Sequence, residues 1–385
     1  MKKLLLAIAL AASLPLQSAD VSGSAKAFVT HKDANAIGRS DTNLDTAIRL
    51  DVKGNPAEGL AGEASYEIKP LFRRNTTATA SPISSASQRQ YRIFDFDSDI
   101  VTSDKDVFIK QNLDRLSITS SSSASDVTIG RQPISFGVAR SINPTDIITP
   151  YAFDTLDQEH RIGVDAIRVI VSRGDLSEVD MGIIAGNNLS MKENAFFVKH
   201  RWNTSGNDYT TTAILFKKNV LVGFNIQSSL GDAGTWLEAA YTVARNRKPG
   251  ILRSDYFRTS LGIDYSFSED LYLYTEYHYN SAGTNDAKEY LTNIYRTAYD
   301  HGSVYLLGKH YIIPGITYTI TPLLTLNASF FTNVVDPSAY LTMTTEYNIA
   351  TNTYFDTGIS AAIGHPTSEF SYYSDIFYIA LRQYF

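Results

Sequence analysis

The chain has 385 residues, 12% of them aromatic, with 24 Tyr, 19 Phe, 4 Met, no Cys and a formal charge of −6. Lack of cysteine excludes disulfides, thiolate catalysis and covalently attached c-type haem, and the acidic balance argues against nucleic acid as a partner. After the first residues no apolar run approaches the ~20 residues that a transmembrane helix needs.

Met1–Leu10 reads MKKLLLAIAL, a basic start and an apolar core, with small residues at Ser18 and Ala19. This pattern predicts a secretory leader over 1–19, cut near Ala19, and a mature domain over 20–385. No Cys stands there to take a lipid. Period-two alternation follows, the mark of strands with two different faces. Arg49 and Asp51 oppose Ile48, Leu50 and Val52, and Leu60–Lys69 sets Ala64, Tyr66 and Ile68 against Glu63, Ser65, Glu67 and Lys69. A long loop, 71–106, carries Asp95, Asp97, Asp99 and Asp106 in partial likeness to a calcium loop. Ile100 stands where the turn needs glycine and Asp106 is shorter than the usual Glu, so a solvated acidic loop is the simpler reading and no metal or other cofactor is expected.

Arg115 and Ser117 then oppose Leu116 and Ile118. The strand Asp126–Arg131 ends at Pro133, which cannot donate to a ladder. The loop 133–160 contains the turn chemistry Asn143-Pro144-Thr145-Asp146 and the charged residues Arg140, Asp146, Asp154 and Asp157. Arg161–Arg173 resists assignment: Val164 and Ile170 share a phase with Arg168, and Asp165 shares one with Ile167; either a bulge resets the register or Arg168 lies near an interface and reaches water. Arg131 likewise shares the phase of Val127 and Ile129. Glu178 and Asp180 alternate with Val179, Met181 and Ile183; Lys199 and Arg201 with Phe196, Val198 and Trp202. Arg253–Phe267 puts Arg258 and Asp264 opposite Phe257, Leu261 and Ile263, and Glu276 and His278 share the next strand's polar face. After the loop 281–303 come the strand Tyr340–Ile349 and the final Asp375–Phe385, where Arg382 opposes Leu381.

The connections fall into two sets. Short turns are expected near Asn55-Pro56, 121–123, 173–175, 204–207, 231–234, 268–270, 321–322 and 350–352. The interleaved set contains every long loop, 31–43, 71–106, 133–160, 187–192, 281–303 and 364–374, with 217–219 and 336–338 as its short members. This asymmetry predicts an all-β, transmembrane, up-and-down antiparallel barrel of about 18 strands, 16 being the alternative, with short periplasmic turns and long extracellular loops. A soluble sandwich is the competing architecture. In a barrel the apolar face meets lipid, so Arg49, Asp51, Arg115, Glu178, Asp180, Lys199, Arg201, Arg258, Asp264, Glu276, His278 and Arg382 are candidates to line the lumen. Tyr265, Phe267, Tyr272 and Tyr274 would form part of an interfacial girdle. The seven histidines stand in no nucleophile or zinc motif, and no enzyme is expected.

Phe377, Ile379, Leu381 and the final Phe385 alternate, with Gln383 out of pattern, and Gly130-Arg131-Gln132-Pro133-Ile134-Ser135-Phe136-Gly137 precedes Asn143-Pro144-Thr145-Asp146. Together these residues resemble Gram-negative porins and porin-like outer-membrane barrels. The resemblance implies a channel for small hydrophilic solutes or ions, surrounded by outer-membrane lipid, with Phe385 as the signal read by the outer-membrane assembly machinery and a homotrimer as one allowed assembly. It also implies that the loop 133–160, or else 71–106, narrows the lumen, with Arg140, Asp146, Asp154 and Asp157 at the constriction. A barrel that binds a specific ligand or partner, for uptake or adhesion, is the alternative; a membrane-embedded hydrolase is a third.

Overall fold

A computed structural model describes residues 19–35, 38–73, 91–94, 99–103, 107–190, 192–300 and 304–385. Residues 1–18 of the expected leader lie outside the described residues, as do Asp95, Asp97 and Asp106 of the calcium-like stretch.

Among the described residues, nineteen strands form one antiparallel sheet closed on itself. They are β1 (Ala19–Lys32), β2 (Asp41–Ala57), β3 (Leu60–Arg73), β4 (Asp99–Ser103), β5 (Val107–Ser121), β6 (Ser125–Gln132), β7 (Val164–Ser172), β8 (Ser177–Ile184), β9 (Ala195–Thr204) and β10 (Asn207–Phe216). The second half comprises β11 (Asn219–Leu230), β12 (Ala233–Val243), β13 (Tyr256–Ser266), β14 (Leu271–Asn280), β15 (His310–Thr321), β16 (Leu324–Asn333), β17 (Ser338–Ala350), β18 (Thr353–Ile363) and β19 (Ile376–Tyr384). Eighteen of them make the wall. The other, β4, is a five-residue strip on β5 at Val107–Lys110, beyond the stretch Leu116–Ser121 where β6 pairs.

The barrel closes where β1 meets β19, Ser24 opposite Tyr384 through Lys32 opposite Ile376. Gly23 and Phe385 extend this ladder by exchanging two backbone hydrogen bonds, 2.8 and 3.0 Å. A Cβ on Gly23 would lie 2.6 Å from the backbone carbonyl oxygen of Arg49, so the pairing of β1 with β2 favours glycine there. Closure removes the free edges that an open sheet of this size would expose.

Short turns lie at one end of the barrel. Ser205-Gly206, with φ of +52° and +79°, has the left-handed pair that a tight type I′ hairpin needs. The turn expected at Asn55-Pro56 forms instead at Glu58-Gly59: β2 runs on to Ala57, and its register against β3 shifts between Gly54 and Ala57. Pro56 thus marks a bulge, the place a sheet tolerates it. The opposite end carries the long connections, including 244–255, which precedes β13 and shortens the strand expected from Arg253.

Alternation decides the two faces. On β13, Phe257, Leu261 and Ile263 are exposed outside, while Tyr256, Arg258 and Ser260 are buried inside. On β7, Val164 and Ala166 face inward in phase with Arg168, and β6 and β7 pair with no register shift, so the bulge considered for this strand is absent. The bulge sits in β5, where pairing steps from Arg115 to Leu113 and leaves Asp114 over. Of the expected girdle, Tyr265 and Phe267 are exposed outside. Tyr272 and Tyr274 lie on the other phase, bonded to Asp264 and Ser141.

The interior beneath the long loops is packed. One cluster joins Ile142, Tyr290, Tyr299, Val304–Leu307, Tyr311, Phe331, Tyr340, Phe370 and Tyr373. A second joins Ile134, Phe136, Ile147 and Ile148 to Val164, Ile184, Phe197, Ile214, Phe216 and Leu221 of the wall.

Candidate functional site: the loop that crosses the barrel

Both clusters draw in the connection 133–163, which runs from β6 to β7 through the interior. A loop with no ladder leaves its backbone N–H groups seeking acceptors. Two fully buried glutamates of the wall provide them. Glu238, inward on β12, accepts from the N–H of Val138 (2.7 Å), Ala139 (3.1 Å) and Thr145 (2.8 Å), and from the Thr145 hydroxyl (2.7 Å). Glu276, inward on β14, accepts from the N–H of Arg140 (2.9 Å), Ser141 (3.2 Å) and Ile142 (2.9 Å), and from Trp236 Nε1 (3.0 Å). The Ser260 hydroxyl donates to Ile142 O, and Arg258 Nη2 to Pro144 O, each at 2.6 Å. Charge-assisted bonds of this kind are the stronger ones.

Further along, Phe153 inserts among Tyr305, Phe331, Tyr340, Phe370 and Tyr373, with ring centroids 4.8 to 6.0 Å away. Asp157 and Glu159 then reach β1, where Lys26 Nζ lies 2.9 and 2.6 Å from their carboxylates. Glu159 also accepts from the Tyr384 hydroxyl at 2.7 Å. The connection therefore touches the wall at β12 and β14, at β16 and β17, and at β1 and β19 before it returns to β7.

Charged side chains gather where it passes. Asp114, in the β5 bulge, takes Arg115 (2.6 Å), Arg49 (2.8 Å) and Arg92 (3.5 Å) as well as the N–H of Gly163 (3.1 Å). A Cβ on Gly163 would stand 2.0 Å from Asp114 O, so no other residue fits this approach. Arg49 also pairs with Asp51 at 2.9 Å. Arg161 holds Asp146 at 2.5 Å and lies over the Tyr151 ring at 5.0 Å. Asp180 pairs with Arg168 (2.7 Å) and Lys199 (2.9 Å), and Glu178 with Arg201 (3.5 Å). Arg382 binds Asp356 at 2.5 Å and also Glu346. Arg140 reaches Asp264 at 3.0 Å and covers the Trp236 ring at 5.2 Å.

Within the loop, burial pushes the Asp146 carboxyl up to about 6 despite Arg161. Burial also raises Asp154. It acts the same way on Asp157, yet there Lys26 outweighs it and holds the carboxyl below its usual range.

The charged residues expected on the polar face or in the loop differ in burial. Arg258, Glu276, His278 and Asp180 are buried behind side chains or under the loop. Arg201, Arg140 and Asp157 remain 41 to 60% exposed. Asp154 feels the charge of Lys32. Glu238 and Lys26 were not singled out from the sequence, although Glu238 alternates with Leu237 and Ala239 and was open to the same argument. Asp114 gave no such signal, because a bulge places two charged neighbours in succession.

No protein-family model matches the chain, and a search of curated proteins gives no match either. The fold is similar to solved structures. A doubly substituted OccD1 (OprD) aligns over 96% of both chains, with a TM-score of 0.57 and 8% identity. OccK8 (OprE) of Pseudomonas aeruginosa aligns over 96% of this chain and 98% of its own, at 0.56 and 8%. A mutant porin of Rhodopseudomonas blastica aligns over 96% and 100%, at 0.49 and 11%. At these identities the likeness is one of fold.

Proposed function

We propose that this chain is an outer-membrane channel through which small hydrophilic solutes or ions diffuse passively, along a polar lumen of mixed charge. One observation carries the reading: a closed barrel turns Leu261, Ile263, Ile359 and Phe377 outward and Arg49, Lys199, Arg258 and Arg382 inward. That arrangement supports an apolar medium outside and water within. A soluble barrel would bury the apolar face. Residues 20–385 form the barrel domain behind a removed leader, and Phe385 is the insertion signal. The connection 133–163 forms the constriction, with Arg140 and Asp157 exposed to passing solute and opposing charges orienting it. Purified protein in a planar bilayer should give discrete conductance steps, and its reversal potential in a salt gradient measures ion preference. A bilayer that stays silent with correctly folded, inserted protein refutes the reading.

A further inference from the structure

The barrel wall is lowest at β6 and β8, of eight residues each, against nine to seventeen in the rest of the wall. Above them, on the outside, lies a groove of about 510 Å³. Its floor is Leu116, Ile129, Ile167 and Ile183, and Phe94 and Leu189 stand at its sides. Ile129 pairs with Ile167, and Ile167 with Ile183, so three side chains of one outward phase form a row across adjacent strands. Leu189, at φ +55°, holds an unfavourable backbone conformation beside the groove. At the upper end Arg131 is already committed, to Asp165 at 2.7 Å and to the carbonyls of Leu113 (2.7 Å) and Phe94 (2.8 Å).

We propose that this groove binds one acyl chain of a membrane lipid; the inference rests on the reading of the chain as a membrane barrel. Continuity selects the occupant, because the floor belongs to the same outward phase as the apolar belt that meets hydrocarbon. A water molecule held there would need two to four polar partners; the lining is mostly apolar, and its polar members Arg131, Asp165 and Asn194 already bond within the protein. An empty groove would forfeit dispersion contacts along its whole length. The concave shape, between projecting Phe94 and Leu189, admits a flexible chain and not the convex wall of a second barrel.

Protein reconstituted with nitroxide-labelled phosphatidylcholine, then transferred to detergent, tests this by electron paramagnetic resonance. The wild type should retain one motionally restricted lipid per chain. Ile167→Trp, or Ile183→Trp if the first fails to fold, fills the groove and should lose it. Equal retention in wild type and folded variant overturns the proposal, as does a variant that changes only the oligomeric state. Leu261→Trp, far round the barrel on β13, is the independent control. Its fluorescence should be quenched by brominated acyl chains; absence of quenching brings down the membrane reading itself.

Discussion

Glu238 and Glu276 do at residue scale what a strand ladder does elsewhere: each accepts several N–H groups that would otherwise be buried unpaired. A glutamine has one accepting and one donating end, so at either site it sets N–H against N–H. Glu276→Gln and Glu238→Gln should each cost about 1–3 kcal/mol of local stability and loosen 138–145, seen as noisier, altered single-channel conductance; unchanged traces would show that the glutamates do not position the loop. Glu369, in the connection 364–375, makes a second such hub, accepting from Leu307 N–H at 2.7 Å, the Tyr311 hydroxyl at 2.5 Å and Asn333 Nδ2 at 2.6 Å. Burial raises its carboxyl from 4.5 to about 7, with Asp336 adding to the effect. The fold thus favours the protonated form. Its contribution is full below pH 4.5 and is lost as pH rises through about 7. Thermal unfolding of Glu369→Gln in detergent should be flatter than wild type across that window, and a parallel pair of profiles would refute the assignment.

At the scale of the element, β6 and β7 show how a strand tolerates charge on the wrong face. Arg131 and Asp165 lie in the outward phase with Ile129 and Ile167, where a lone charge would cost several kcal/mol. Tyr91–Phe94 covers them: Tyr91 O accepts from Asp165 N–H at 3.0 Å, and Asp165 Oδ2 accepts from Ile93 N–H at 2.7 Å. Breaking such a pair leaves one charge buried alone. Arg131→Met should destabilise the barrel by about 3–5 kcal/mol, measured by denaturant unfolding, and Arg131→Met with Asp165→Leu should recover much of the loss. If the double variant is as unstable as the single one, pairing is not what the covering segment serves.

For the whole molecule, the proposed channel makes the lining of the interior the determinant of selectivity. Where the loop meets β1 and β19, Asp157 and Glu159 face Lys26, Arg382 and Tyr384. Replacing both acids, Asp157→Asn with Glu159→Gln, leaves the cations without those partners. Reversal potential in a potassium chloride gradient should then move toward the chloride value; no movement would place the conducting path elsewhere. Deleting 147–157 would remove Ile147, Ile148 and Phe153 from two packed clusters, so it perturbs folding as well as flow.

Alternation by itself determined the architecture: strands such as β13 and β17, the side on which long loops lie, and the facing of Arg258, Asp264 and Glu276. It succeeds because a barrel wall divides two solvents, and each residue's polarity reports which one it meets. It failed where local pattern and environment part company. Tyr272 and Tyr274 share the polar phase because aromatic rings with hydroxyls suit either side. Asp114 and Asn55-Pro56 sit in bulges that shift the phase. The outward Arg131 and Asp165 depend on Tyr91–Phe94, distant in sequence. Only tertiary structure decided that 133–163 would cross the interior, because that path rests on contacts with Lys26, Glu238, Glu276 and Phe331, brought together by closure of the sheet.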